Sequence, residues 1–546
     1  MFDYVIVGGG SAGCVVAARL AADPGTRVLL LEAGPGASAV EEVRVPAAYS
    51  RLFRSRYDWN YMTLPQERAD GRAIYWPSGK LLGGSSAMNA MIYIRGNRAD
   101  YDAWRDDLGC TGWGYRELLP YFRRAEDNVR GESPYHGTGG PLSVADPRHR
   151  STPARQFIEA AIRHGALAND DFNGPQQDGV GFYQVTQRDG RRCSAADGYL
   201  AVKPKNLVVV TNAYVTGLLI EGGRAAGVTY TYGGREEIAR AGAEVILAAG
   251  AIGSPKLLML SGIGPADHLR EQGIYVIVDL PAVGANLIDH PSVPVLWSTP
   301  DVKGLWESSG NAGFARWRLT HRGPLTSNVA EAGGFARSDP RLTAPDLQWH
   351  VLPIAFRDQG LADPASRAMT VLVTLADVAS RGRLRLASRD PRHRPLIDPG
   401  YLSDVRDLTA LAVGVRMARD YATAAPLSKI CAGELAPGDG VHTDHELRDY
   451  IRASVVTTYH PAGTCAMGGD SAAARSPSGC ESVVDTLLRV RGVDGLRVVD
   501  ASVLPALPRG NTNAPVIAIA ERAADLIAGR APLVPQDPAP AAALAR

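Results

Sequence analysis

The chain has little of what several protein classes require. Its six cysteines (Cys14, Cys110, Cys193, Cys431, Cys465 and Cys480) are scattered and form no C-x-x-C pair. That argues against a disulfide framework and a structural zinc site, and no metal is expected. Charge of one sign is also missing. With 58 basic and 57 acidic residues the net charge is +1, so neither nucleic acid nor another strongly charged partner is expected. No apolar run reaches the roughly 18 residues of a spanning helix. The first strand is read to begin at Asp3, which leaves no room for a signal peptide and predicts a cytoplasmic chain. Peripheral contact at the inner membrane surface stays open, as does the oligomeric state.

What is present is a large apolar store. Of 546 residues, 45% are hydrophobic, which suits two intertwined domains rather than several independent ones. The Pro- and Ala-rich end, 533–546, is expected to be disordered.

The opening stretch "DYVIVGGGSAGCVVAARLAADPGTRVLLLEAG" reads as strand, tight turn, helix, strand. Gly8, Gly10 and Gly13 fit G-x-G-x-x-G: the first for the turn, the second for close approach to a pyrophosphate, the third for helix–strand packing. The helix start offers free N–H groups and a partial positive charge. Glu32 follows 24 residues after Gly8, where a carboxylate can accept from ribose hydroxyls. The glycines alone would fit any βα turn; with strand, helix and acid in register they predict a dinucleotide site. The spacing does not separate FAD from NAD.

Three further stretches suit the same ligand. "WPSGKLLGGSSAMNAMIYIRG" (76–96) contains a donor-rich loop at Gly83, Gly84, Ser85 and Ser86. "EVILAAGAIGSPKLLMLSGIG" (244–264) reads as a strand and a helix, with Ser254 as N-cap, Pro255 at the first helical position and Gly262 as stop. "LRVVDASVLPALPRGNTNAPVIAIAERAADLI" reads as a strand ending at Asp500, a loop to Asn513 and an apolar helix with Pro515 in its first turn. The start of that helix suits an anion.

These stretches, with "VGANLIDH" and "YHPAGTCAMG", resemble the glucose–methanol–choline (GMC) oxidoreductases from Asp3 to about Ala528. The resemblance implies an α/β (α+β overall) protein with a Rossmann-like FAD-binding domain and a second, substrate-binding domain on an antiparallel sheet. The expected FAD-binding parts are 1–155, 195–290 and 450–532, and the substrate-binding parts 156–194 and 291–449. It implies that Gly8, Gly10, Ser11 and Gly13 take the FAD pyrophosphate, Glu32 the ribose and Val215 the adenine. Gly84, Ser85, Asn89 and Ala90 would line the pyrophosphate or ring, and Asp500, Ala501, Asn511 and Thr512 would close over the flavin. His460 and Asn513 match the catalytic pair. Met88 stands where some members carry a flavin-linking histidine, so FAD is expected to be non-covalent. "DFNGPQQDGVGFYQVTQRDGRR" and "LTSNVAEAGGF" are most similar to bacterial dehydrogenases for aliphatic primary alcohols and polyethylene glycols, which pass electrons to quinone-type acceptors.

The chemistry agrees. Taking hydride from an alcohol carbon requires a base for the hydroxyl proton, and a neutral imidazole, with a usual pKa of about 6.5, suits that task. His460 sits in "TTYHPAGTCAMGG" without a charged neighbour. The expected reaction is oxidation of an aliphatic or aryl primary alcohol to an aldehyde, with hydride going to flavin N5. An oxygen-using oxidase is the near alternative; a lyase or photodecarboxylase on this fold is one of another class. Asp289–His290, adjacent and expected to point apart, read as structural. Ser85–Ser86 lack a nucleophile elbow. "SRGRLRLASRD" (380–390) is expected to be a strand of the sheet roofing the flavin, with Tyr459 and "LWESSG" as wall elements.

Overall fold

The strand Phe2–Val7 ends in three fully buried residues, and Val28–Glu32 is buried throughout. Such continuous apolar runs belong inside a parallel sheet covered on both faces. In the computed structural model, which describes residues 1–37, 40–308, 310–362, 366–469 and 482–538, five segments run parallel. Their order is 207–211, 28–32, 2–7, 241–247 and 496–498. The strand Arg235–Leu247 is shared. Its first half pairs antiparallel with Arg224–Tyr232, which pairs with Tyr214–Glu221.

Helix α1 (Ser11–Leu20) crosses behind the first strand. A Cβ on Gly13 would sit 1.9 Å from the Gly8 carbonyl oxygen, so only glycine lets the helix pack this close. Gly8 itself is left-handed at φ 101°, a conformation that favours glycine.

Helix α2 (Gly250–Leu260) starts four residues before the expected Ser254 N-cap. Ser254 is spent otherwise: its hydroxyl donates to Asp500 at 2.5 Å and accepts from Ala249 N at 3.1 Å. Pro255 therefore lies inside the helix and lacks the N–H that would reach Ala251 O. The Thr464 hydroxyl takes that carbonyl at 2.6 Å. Helix α3 (Asn513–Ile527) is almost wholly buried, with Pro515 in its first turn as expected.

A second sheet is antiparallel, in the order 433–436, 291–298, 368–375, 347–352, 332–336, 179–182. The short strand Val456–Thr457 pairs with the start of Pro291–Ser298. The two stretches that carry the finer family likeness meet here, as Gly179–Phe182 pairs with Ala332–Ala336.

Two expectations need correction. Within 380–390, only Arg383–Arg385 is strand, and it pairs with Leu396–Asp398 in a separate ribbon. Its backbone bonds go to Gly284 N-terminal to the second sheet and to His268, so it does not roof the site. The tail is tied down through residue 537. Leu533 N donates to the Tyr121 hydroxyl at 3.0 Å, Gln536 N to Arg116 O at 2.8 Å, and Asp537 pairs with Arg98 at 2.6 Å. The expectation for 539–546, and Cys480, lie outside the described residues. Among the described residues no helix is long and apolar enough to cross a membrane.

Candidate active site

The ends of the five parallel strands open into one cavity. Gly8 follows the first strand, Glu32 closes the second, Ala213 follows 207–211, Ala248 follows 241–247 and Asp500 follows 496–498; all five line it. Strand carboxyl ends at the crossover of a parallel sheet are where such folds hold ligands.

One end of the cavity is aromatic. Trp59 and Tyr61 stack at 6.1 Å with an 8° interplanar angle, and Tyr214 lies 6.0 Å from Trp59. Val215 and Lys256 line the wall beside them. Glu32 is buried; Oε2 accepts from Gly9 N at 2.8 Å and Oε1 from Gly34 N at 2.7 Å. Burial pushes its carboxyl up to about 7, against the pull of those two bonds.

The middle is built from Gly10, Ser11, Gly84, Ser85, Ala501, Thr512 and Asn513, all lining the cavity. The 83–91 loop docks directly on the glycine turn, since a Cβ on Gly84 would meet Gly10 Cα at 2.6 Å. Gly13 does not line the cavity; it packs α1. Asp500 lines it, but its carboxylate is spent inside the protein. Gly250 N (2.9 Å) and Ser254 Oγ (2.5 Å) donate to one oxygen, Ser502 N (2.8 Å) and Oγ (2.5 Å) to the other. It brackets α2 to the 500–503 turn.

The far end holds His460, with Met88, Asn89, Ala90, Asn511, Tyr49, Phe53 and Tyr459. Thr457 sets the turn that presents the histidine: its hydroxyl donates to Asp289 at 2.5 Å and accepts from Tyr459 N at 2.7 Å. Tyr459 is left-handed at φ 68°, a strained conformation that the surrounding bonds enforce. His460 N donates to Asp289 Oδ1 at 2.8 Å.

The ring's heavy-atom partners assign its proton. Nε2 lies 3.3 Å from Asn511 Nδ2, and Nδ1 lies 3.0 Å from His290 Nδ1 and 3.3 Å from Thr458 Oγ1. The Asn511 amide is oriented by Gln348, whose Nε2 donates to Oδ1 at 3.3 Å, so Asn511 turns N–H toward the histidine. An amide nitrogen has no lone pair to accept with, so Nε2 of His460 must carry one. The Thr458 hydroxyl gives its own hydrogen to His290 O at 2.8 Å and can only accept from His460. The neutral ring therefore holds its proton on Nδ1, shared toward Thr458 and His290, and offers an Nε2 lone pair. Burial, then His290 and His350, hold the imidazole well below its usual range.

Two expectations change here. The residue facing His460 is Asn511. Asn513 begins α3 and points elsewhere, its Oδ1 accepting from Ser11 Oγ at 2.8 Å across to the start of α1. Two residues separate the asparagines, and the onset of the helix sends their side chains to different partners. Asp289 and His290 do point apart, as expected, but both reach His460, one through its backbone and one through its ring. They orient the site as well as the fold.

Sequence reasoning missed Tyr49, Phe53, Trp59, Tyr61 and Tyr214. A signal existed: "YSRLFRSRYDWNY" places five aromatics between Tyr49 and Tyr61 in a chain with 7% aromatics. Of the wall candidates, Tyr459 lines the cavity and the "LWESSG" segment does not. Among the described residues no group of three His, Cys, Asp or Glu is arranged for a metal.

Compared with known proteins, residues 2–292 and 378–520 match the family described as GMC oxidoreductase. The chain is 42% identical over 538 residues to an alcohol dehydrogenase [acceptor] of Pseudomonas putida, covering 96% of each. It is 41% identical over 553 residues to human mitochondrial choline dehydrogenase, covering 98% of this chain and 91% of that one. The crystal structure of pyridoxine 4-oxidase from Mesorbium loti superposes with a TM-score of 0.88 at 35% identity, over 97% of this chain and all of that one.

Proposed function

Since the chain belongs to the GMC oxidoreductase family, we propose that it oxidises a primary alcohol to an aldehyde with FAD, His460 taking the hydroxyl proton. The observation that carries this reading is the Nε2 lone pair of a buried, neutral His460, turned to the cavity beside the Asn511 amide.

The residues fit the dinucleotide. Two helix starts, Ser11 and Asn513, flank a cavity floored by glycine backbone, and backbone N–H groups at a helix start suit a diphosphate. Gly8, Gly10 and Ser11 would hold it, Glu32 the ribose and Val215 the adenine. Gly84, Ser85, Asn89, Ala90, Asp500, Ala501 and Thr512 would surround the rest, with Gly13 setting the helix behind them. FAD bound there supplies the hydride acceptor. Met88 offers no ring nitrogen for a covalent link, so attachment is proposed as non-covalent; acid precipitation should release all the yellow colour.

His460 accepts the alcohol proton at Nε2, and the Asn511 N–H donates to the substrate oxygen without competing for that proton. His290, accepting from Nδ1–H, keeps the lone pair on the correct nitrogen. The segments 1–155, 195–290 and 450–532 are proposed to carry the cofactor, and 156–194 and 291–449 the substrate wall. Tyr49, Phe53, Met88 and Tyr459 give that wall an apolar, uncharged face, which favours an unbranched or aryl-substituted primary alcohol. The electron acceptor is proposed to be quinone-like.

The test is an anaerobic panel of alcohols followed by loss of flavin absorbance. Bleaching by none of them overturns the reading. Reduced enzyme that stays reduced in air for minutes supports the dehydrogenase; reoxidation within seconds makes it an oxidase.

A further inference from the structure

Arg192 is a buried cation behind the cavity wall that the proposed reaction leaves without a task. It is 4% exposed. Its Nε donates to Val43 O at 2.9 Å, and Nη1 donates to Ser86 O at 3.1 Å and to Asn89 Oδ1 at 2.7 Å. Nη2 is buried and has no hydrogen-bond partner among the described residues. Other buried arginines are treated differently. Arg95 pairs with Glu126 at 2.6 Å, and Arg509 pairs with Asp100. Arg192 forms no ion pair among the described residues. Asp197, the carboxylate whose field favours its charge, is held by Ser194 N at 2.9 Å and Oγ at 2.7 Å. Burial pulls the guanidinium down to about 10, which still leaves it charged at neutral pH.

A buried cation without a counter-ion is costly and is kept where another charge answers it. The contact with Asn89 shows the direction. Asn89 Oδ1 accepts from Arg192 and, at 3.0 Å, from Met91 N. Both lone pairs of that oxygen are taken, so what Asn89 can offer the cavity it lines is its N–H donors. The charge also reaches Tyr49, whose ring packs 5.9 Å from Phe53, itself 5.7 Å from Tyr459 beside the base. Arg192 therefore stands behind the reacting end of the cavity.

We propose that Arg192 is a positioning residue for the redox chemistry: it locks Asn89 as a donor toward the flavin ring and places an uncompensated positive charge behind it, favouring the reduced ring. Accepting a hydride adds two electrons and one proton to a neutral ring and leaves one negative charge, which this cation answers. The inference rests on the proposed FAD reading.

The experiment measures the midpoint potential of the flavin in purified holoenzyme and the FAD Kd of apoprotein, for wild type, Arg192→Gln, Arg192→Lys and Asn89→Ala. Arg192→Gln is expected to make two-electron reduction at least about tenfold less favourable, some 30 mV. Arg192→Lys, which keeps the charge but not the fork, should recover most of that loss. Asn89→Ala removes the donor alone and should cost about threefold; it decides the matter if Arg192→Gln fails to fold. Potentials unchanged in Arg192→Gln, or in Asn89→Ala where that variant decides, overturn the proposal, whether or not FAD affinity falls. A fall in affinity alone would assign the guanidinium to packing or to the diphosphate. Wild-type protein that binds no FAD would instead overturn the reading on which the inference rests.

Discussion

For His460, the position of one hydrogen decides reactivity. With the proton on Nδ1, the ring is a base toward the cavity; with the proton on Nε2 it would be a donor. Replacing His460 by alanine should leave FAD absorbance intact and slow anaerobic flavin reduction by at least about a hundredfold; near-native speed would mean that another group takes the proton. Because burial and two neighbouring imidazoles hold His460 neutral far below its usual range, the reduction rate at saturating alcohol should show no acid limb near about pH 6.5. Such a limb would mean that the ring titrates normally. The two asparagines separate by role. Asn511→Ala should slow reduction about tenfold to a hundredfold, whereas Asn513→Ala should weaken FAD binding and leave the rate within about threefold. Stopped-flow reduction of both variants checks this, and a reversed order would return the role to Asn513. The histidine was legible in the sequence because nothing charged surrounds it. Which asparagine faces it was not, since both stand in one short loop and the turn into α3 divides them.

Among elements, the strand Glu126–Asn128 shows how charge ties segments together. Glu126 accepts from Arg95 at 2.6 Å and lies 3.0 Å from His136 Nδ1, while His136 Nε2 lies 2.9 Å from Asp171. Burial pushes the His136 imidazole down, but its bonds to Asp171 and Glu126 outweigh this and raise it overall. Burial pushes both carboxyls up. Arg95 and His136 outweigh it at Glu126, and His136 outweighs it at Asp171, so both end below their usual values. A raised histidine contributes stability that is complete below about pH 6.5 and is lost as pH climbs through its folded value. The lowered carboxylates contribute above about pH 4 and lose their share as pH falls through their folded values. The melting-temperature gap between wild type and His136→Gln should therefore be widest in mildly acid buffer and shrink toward pH 9. A gap that widens with pH would refute the pairing. None of this shows in the sequence, where the partners lie at 95, 126, 136 and 171. The same distance hid Thr464, whose hydroxyl replaces the bond that Pro255 cannot make, and so hid the early start of α2.

At the scale of the whole molecule, the cavity lies where a parallel sheet meets an antiparallel one, and no single segment builds it. His460 follows the short strand 456–457 on the second sheet, while the glycine turn, Glu32 and Asp500 come from the first. FAD bound between them should stabilise the chain as a unit: at a hundredfold excess over Kd, unfolding should cost about 2.7 kcal/mol more than in apoprotein. Chemical denaturation with and without FAD checks this, and an unchanged midpoint would place the dinucleotide elsewhere. The sequence by itself determined the nucleotide turn, the buried parallel strands, the family and the histidine. Those features are local: glycine spacing, apolar runs and capping act over a few residues, where chain chemistry suffices. Tertiary structure decided the partner asparagine, the tautomer of His460, the aromatic walls and the unpaired Arg192. Each of those depends on which distant side chains share a hydrogen bond or exclude water, and only the closed fold brings them within 3 Å or so of one another.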